Sequence, residues 1–498
     1  MKTTLERGAG LLLPIYSLPS PYGIGTLGKS AYDFINFLVK AGQKYWQVLP
    51  VGPTSYGDSP YQSFSSFAGN PYFIDLDMLC DEGLLNKQDL DQIYWGYTPE
   101  YVDYDVIYKE RYPILKKAFL ASNHKDTKDY LKFCDDNKFW LEDYALFMAV
   151  KGHNEGADWL KWPEDIRTRQ VKALNHYREL LKEDIDFWMF LQFKFFEQWE
   201  KLREYAKEKG ILLIGDMPIY AALDSADVWV YHKFFQLDKD LVPKAVAGVP
   251  PDAFSEDGQL WGNPLYDWMA LEEDDFSWWR KRIACAAALY DAVRIDHFIG
   301  VVRYFAVPYG EETAKNGKFF WGPGKKLIKA LKEEVGDTKI IAEDLGVMID
   351  EVKELKDSEG LPGMKIIEFA FDGGNDNDHL PVNYEQNCIV YGGTHDNETL
   401  QGYFSRRQDW PKQYVMEYMG LNEEQYKDIV PYIFRLAYSS VASVAIFQVQ
   451  DVLGLGNEAR TNEPSTSGNN WKWRLTEGRL TEHHSGWLNR LTWLFNRQ

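Results

Sequence analysis

The stretch Ala292-Val293-Arg294-Ile295-Asp296-His297-Phe298 reads as a buried strand that ends on a carboxylate and an imidazole. Seven further short apolar runs recur along the chain, at Gly10–Ile15, Tyr45–Val51, Ile211–Pro218, Lys339–Leu345, Met364–Phe371, Cys388–His395 and Val441–Val449. A strand covered on both faces is apolar throughout rather than alternating, so each run fits a parallel sheet buried between layers. Helical patterns fall between them, for example Ser30–Ala41, Trp278–Tyr290 and Lys325–Val335. Eight alternations of strand and helix predict an α/β protein, a closed (β/α)8 TIM barrel.

The spacing of the runs predicts where the barrel is interrupted. About 160 residues separate the second run from the third, far more than one helix needs, so this connection carries a large insertion. Ile114, Leu115, Ala118 and Phe119, then Trp140, Leu141, Tyr144 and Ala145, repeat at helical intervals, and a long amphipathic stretch from Ile185 to Lys209 closes on Gly210. The expected organisation is one barrel over residues 1–498, a largely helical insertion over 54–205, and a second insertion over 220–278, rich in Pro, Gly and aromatics, that covers the substrate.

Composition excludes several functions. A formal charge of −20 over 498 residues, with no long basic run, opposes binding to nucleic acid or anionic membrane. No apolar stretch is long enough to span a bilayer, and Pro14 cuts short the Leu11-Leu12-Leu13 run, so no signal peptide is expected. Cys80, Cys134, Cys285 and Cys388 are far apart and irregularly spaced, which suits reduced thiols and a cytoplasmic location. His483 and His484 are adjacent rather than spaced as ligands, and Asp376 and Asp378 lie in a turn without the offsets of a calcium loop, so no metal is expected. Gly23-Ile24-Gly25-Thr26-Leu27-Gly28 matches a dinucleotide fingerprint, but the following run, Tyr45–Val51, holds no acid to bind a ribose. These glycines read as a tight first βα turn, and no cofactor is expected.

Three strand ends carry acids: Asp296 in the fourth run, Glu343 in the fifth and Asp396 in the seventh. In a barrel of this kind the chemistry gathers at the C-terminal ends of the strands, so three acids at that level point to one catalytic cluster. Cleaving a glycosidic bond with retention needs one ionised carboxylate and one protonated carboxyl. Arg294 shares a strand face with Asp296 and favours its ionised form, whereas Glu343 follows an apolar run beside other acids, which raises its pKa. Asp396 is placed to hydrogen-bond sugar hydroxyls. His297 and His395, each beside a carboxylate, make either structural hydrogen bonds at a strand end or direct contacts with a sugar. An aromatic content of 15% suits both a filled core and a surface on which pyranose rings lie flat, so composition alone does not choose.

The motifs Arg294–His297, Ala342–Gly346 and Gly393–Asn397 resemble the alpha-amylase clan. Arg7–Gly10 with Leu12–Ser20, the stretch Tyr56–Ser65, Gly69–Pro71, Gly215–Pro218, and Gly248–Asp252 with Trp261–Tyr266 are similar to the amylomaltase family, the 4-alpha-glucanotransferases of glycoside hydrolase family 77. The resemblance spans nearly the whole chain and implies transfer of α-1,4-glucan segments between maltooligosaccharides, with retention and without a cofactor. By this resemblance Asp296 is the nucleophile, Glu343 the general acid/base and Asp396 the transition-state stabiliser. It also implies that Arg294, His395, Asp216 and Asp372 surround the reacting sugar, and that Tyr61 and Ser59 line the cleft. Phe254, Gln259 and Trp261 match the segment that overhangs the groove, and Tyr56 falls where some members hold glucan at a second site. Two other readings share this sequence: a hydrolase using the same acids, and a glucan-binding protein that has kept the barrel.

Overall fold

The computed structural model describes residues 5–55, 57–251, 255–346, 348–407, 409–466 and 468–498. Among these, eight strands form one parallel sheet: β1 (Gly8–Leu12), β2 (Tyr45–Gln47), β3 (Leu212–Met217), β6 (Ala292–Ile295), β9 (Lys339–Ala342), β10 (Gly363–Ile366), β11 (Cys388–Tyr391) and β12 (Val444–Gln448). Their order is β10-β11-β12-β1-β2-β3-β6-β9. The two ends of this order meet, because the Ala342 N–H donates to the Pro362 carbonyl at 2.9 Å and so links β9 to the start of β10. The fold is a (β/α)8 TIM barrel. Each strand overlaps one of the eight apolar runs and is shorter than it. The second run continues apolar to Val51 while its ladder stops at Gln47, because Val48, Leu49 and Val51 stay buried after the chain has left the sheet.

The barrel interior is lined by Leu12, Ile214, Ala292, Ile341, Ile366, Ile389 and Ile446, all buried. Outside, amphipathic helices close the wall. In Lys29–Lys40 the buried residues Ala31, Phe34, Ile35 and Leu38 follow the 3.6-residue period. Gly28 precedes this helix because a Cβ there would fall 2.0 Å from the Asp75 carboxylate. That carboxylate accepts the Thr26 hydroxyl at 2.6 Å and caps the helix Leu76–Asp81, so this glycine serves packing inside the protein.

Between β2 and β3 the chain forms mostly helices, the longer ones being Tyr104–Ala121, Leu141–His153 and Lys182–Glu208. The segment 220–278, read from sequence as an irregular covering loop, contains two strands, β4 (Ala245–Val249) and β5 (Gln259–Pro264). They join β7 (Arg303–Pro308) and β8 (Lys318–Trp321), from the connection after β6, in an antiparallel sheet ordered β5-β4-β7-β8. No helix among the described residues is long and apolar enough to cross a membrane.

Two polar clamps hold the barrel seams. Arg497, fully buried, donates to the carbonyls of Gly8 (3.0 Å) and Ser443 (3.2 Å) at the β1–β12 seam, and to those of Tyr438, Ala437 and Ser440. At the β9–β10 seam the Asp344 carboxylate accepts the Met364 N–H at 2.7 Å and pairs with Lys356 at 3.0 Å, both side chains being buried. Removing one partner of a buried pair strands the other charge, at a cost of about 3–5 kcal/mol. Asp344→Ala is therefore expected to lower unfolding stability by about 3 kcal/mol or more. Chemical denaturation checks this, and a change below about 1 kcal/mol would dismiss the clamp.

Candidate active site

Adjacent strands in register carry the first pair of functional groups: Asp216 on β3 stands opposite Arg294 on β6. The alternation of a strand turns both into the barrel, above the apolar layer of Ile214 and Ala292. Arg294 Nη1 reaches both Asp216 carboxylate oxygens, at 2.8 and 2.6 Å, and Asp296 Oδ1 at 2.8 Å. Nε faces the Met364 sulfur at 3.4 Å. The Asp216 side chain is wholly buried, and its Oδ2 also accepts the Tyr61 hydroxyl at 2.8 Å. One guanidinium thus fixes two carboxylates, one deep and one at the mouth.

Asp296 is the first residue beyond β6, and its side chain is 27% exposed. The next residue, His297, adopts φ +50°, in the left-handed region that costs a side-chain-bearing residue about 1–3 kcal/mol. That turn aims the His297 N–H at Glu343, whose Oε2 accepts it at 2.6 Å, while Glu343 Oε1 accepts the Leu345 N–H at 2.7 Å. Glu343 is therefore held by the residue that follows Asp296. The Trp261 ring meets the His297 imidazole edge to face at 4.8 Å, and burial pushes this imidazole down to about 4, so it is neutral at pH 7.

Asp396, beyond β11, has a different environment. Asn462 Nδ2 donates to its Oδ1 at 2.6 Å, His395 Nε2 lies 3.3 Å from its Oδ2, and Arg460 donates to its carbonyl at 2.7 Å. Tyr61 stacks on His395 with ring centroids 5.0 Å apart and places its hydroxyl 3.4 Å from Nδ1. Trp471 packs against both rings.

These surroundings separate three chemically similar acids. Burial raises Glu343, and the negative charge of Asp296 raises it further, past neutrality and against the pull of Arg294. Burial raises Asp296 as well, but Arg294, in direct contact, offsets more of it, so Asp296 ionises before Glu343. Asp396 goes the other way: His395 and Asn462 outweigh desolvation and hold it down at about 2, while Asp396 in turn raises His395 against its own burial. Of the three, Glu343 is thus the most readily protonated and Asp396 the most readily ionised.

The structure thus brings together Asp216, Arg294, Asp296, His297, Glu343, His395, Asp396, Tyr61 and Trp261. The Gln259 side chain accepts the Trp261 indole N–H at 3.1 Å. Ser59 lies in the turn before Tyr61, and its hydroxyl accepts the Tyr61 N–H at 3.3 Å. Asp372 makes a two-point ion pair with Arg407, at 2.7 and 2.9 Å, and accepts the Tyr403 hydroxyl at 3.3 Å, without contacting the three acids. Phe254 and Tyr56 lie outside the described residues. A cavity of about 820 Å³ passes Tyr61 and Asp216 and then runs away from the three acids, between Trp140, Tyr290 and Arg203. Sequence reasoning missed Arg460, Asn462 and Trp471, in the polar loop after β12; the unusual length of that loop was the available signal.

A family model described as 4-alpha-glucanotransferase matches residues 13–481. The chain is 50% identical to a 4-alpha-glucanotransferase of Clostridium butyricum, over 97% of this chain and 99% of that one. It is 46% identical to a 4-alpha-glucanotransferase of Streptococcus pneumoniae, over 99% and 98% of the two chains. Among solved structures, the amylomaltase from Streptococcus agalactiae in complex with acarbose superposes with a TM-score of 0.95 at 42% identity, covering 99% of this chain and 100% of that one. With these likenesses running almost end to end, the chain belongs to the 4-alpha-glucanotransferase family.

Proposed function

We propose that this 4-alpha-glucanotransferase moves α-1,4-glucan segments between maltooligosaccharides by double displacement, with Asp296 as nucleophile, Glu343 as acid and base, and Asp396 as the group that steadies the reacting sugar. The observation that carries this reading is the tether between the first two acids: Glu343 is bonded to the amide that follows Asp296, while Arg294 is bonded to Asp296. A retaining enzyme needs two carboxyl groups about 5–5.5 Å apart and in opposite protonation states.

In the first displacement an Asp296 oxygen attacks the anomeric carbon and the bond to the leaving glucan breaks, its oxygen taking the proton from Glu343. The product is a glycosyl ester of Asp296, and Glu343 is left ionised. In the second, Glu343 takes the proton of an incoming 4-hydroxyl, whose oxygen displaces Asp296 and restores both acids. Positive charge builds on the ring in each transition state, and ionised Asp396 lies where its hydrogen bonds to ring hydroxyls strengthen as that charge grows. Tyr61, locked by Asp216 and stacked on His395, offers a ring for the sugar bound at the centre. Trp261, pinned by Gln259 and set against His297, offers a second one on the overhanging segment. A glucan lying there displaces water from the ester, which favours a sugar acceptor over hydrolysis.

Maltotriose incubated with the protein is expected to yield glucose and a ladder of longer oligomers, resolved by chromatography. Only shorter products would favour a hydrolase. Asp296→Asn is expected to lower kcat at least about a thousandfold with the fold retained, and a trapped glycosyl adduct should map to the peptide holding Asp296. An adduct on another residue would remove Asp296 from this role.

The pH dependence has a defined sign. Activity falls on the acid side as Asp296 takes a proton and on the alkaline side as Glu343 loses one. Arg294 favours the ionised form of Asp296, so Arg294→Met should move the acid limb of kcat/KM to higher pH. An acid limb that stays in place or moves lower would separate Arg294 from the nucleophile.

A further inference from the structure

Asp396 rides on the loop Gly393–Asn397, and what holds that loop from below is a buried acid that the mechanism does not use. Glu368 lies in the short 3-10 turn Ile367–Phe369 after β10 and is 2% exposed. Its N–H donates to the Gly392 carbonyl at 3.2 Å, and its own carbonyl accepts the Tyr403 hydroxyl. Its Oε1 presses on the start of the Asp396 loop, so that a Cβ on Gly393 would stand 2.7 Å from it. A Cβ on Gly393 would also stand 2.9 Å from Asn397 Cβ, so the Asn397 side chain packs on this loop beside the carboxyl, whose buried Oε1 has no hydrogen-bond partner among the described residues. Asn397 Oδ1 in turn accepts the Thr394 N–H and hydroxyl, each at 2.8 Å, and Thr394 Oγ1 accepts the Asp396 N–H at 3.3 Å.

We propose that Glu368 is a positioning residue for Asp396, fixing through Asn397 and Thr394 the loop that carries this carboxylate. The inference rests on the role given to Asp396 in the proposed mechanism.

The charged groups that face Glu368 show the form in which it acts. They are Asp451, Glu398 and Arg460. Asp451 accepts the Leu400 N–H at 2.8 Å, and Glu398 is held by Arg406 and by Asn457 at 2.6 Å. Arg460 is directed at the carbonyls of Asp396 and Asn462, at 2.7 and 2.8 Å. Burial, with two acids nearby, keeps Glu368 well above the usual carboxylate range. These surroundings favour its uncharged form, and a glutamine keeps the same shape without a charge.

The test compares Glu368→Gln, Glu368→Leu and Asn397→Ala in maltotriose transfer, with thermal unfolding measured alongside. Glu368→Gln should keep kcat within about threefold, because the side chain keeps its volume and its contact with Gly393. Glu368→Leu and Asn397→Ala should each lower kcat about tenfold or more with KM little changed, since a misplacement of about 1 Å can cost up to a hundredfold. Combined with Asp396→Asn, either change should add less than about twofold further loss, because both act through the same carboxylate. The proposal is overturned if Glu368→Leu and Asn397→Ala keep full activity, if Glu368→Gln is as slow as Glu368→Leu, or if the losses multiply with Asp396→Asn. Should Glu368→Leu fail to fold, Asn397→Ala and Glu368→Gln decide alone. A fully active Asp396→Asn would instead sink the mechanism beneath it, and the single variant reports this separately.

Discussion

The shared guanidinium of Arg294 is the constraint on which the rest of the site depends. Taking a guanidinium and two carboxylates out of water costs several kcal/mol per ion, and their attraction offsets this only when the geometry is good. The register of β3 against β6 supplies that geometry, since Asp216 and Arg294 are cross-strand partners on the same face. Shifting either strand by one residue would turn its side chain out of the barrel and leave a bare charge behind. The same pair fixes more than charge. Asp216, saturated by Arg294, still accepts from Tyr61, and Tyr61 stacks on His395, which lies beside Asp396. A single buried cation therefore sets Asp296 directly and reaches the wall of the Asp396 pocket through one ring.

What separates the three acids is which partners each strand end supplies. Asp296 has a permanent cation in contact and remains the easier of the buried pair to ionise. Glu343 has only backbone amides, which fix its orientation without a full compensating charge, so burial prevails. Asp396 has an imidazole and an amide, with 44% of its side chain open, and stays ionised. Chemical similarity among the three is undone by neighbours two or fewer residues away in sequence, on an adjoining strand end or, for Asn462, in the long loop after β12.

This locality explains how much could be read from the sequence. All eight barrel strands were legible, because burial on both faces writes itself as a continuous apolar run. Their ends were less so, since Val48 and Leu49 are as buried outside the ladder as within it. The Arg294–Asp296 contact follows from an i, i+2 spacing and needs no tertiary information. Arg460, Asn462 and Trp471 have no such marker: the loop Arg460–Trp473 is polar and carries no apolar period. The four-stranded sheet was hidden for a related reason. All four residues of Lys318–Trp321 are exposed and β4 includes a glycine, so neither shows the alternation by which a half-buried strand is recognised. Glu368 could be read only as one acid in an apolar run, and its neighbours come from connections far apart in the chain.

The contrast between Asp396 and the other two acids also bears on how the barrel divides its work. Asp296 and Glu343 begin directly at the ends of β6 and β9, whose ladder bonds fix them, and Glu343 is tied back to the β6 end. Asp396 stands five residues past the end of β11, too far for the ladder alone to place it. It is braced instead from several connections: Asn462 and Arg460 after β12, Tyr61 by way of His395 after β2, and the turn after β10 beneath. A carboxylate held this way can lie at the open side of the cleft, where 44% of its side chain meets solvent, and still have a defined direction. The reacting groups nearest the wall are thus positioned by the sheet, and the one nearest solvent by the loops, which is where a barrel can change its substrate without changing its strands.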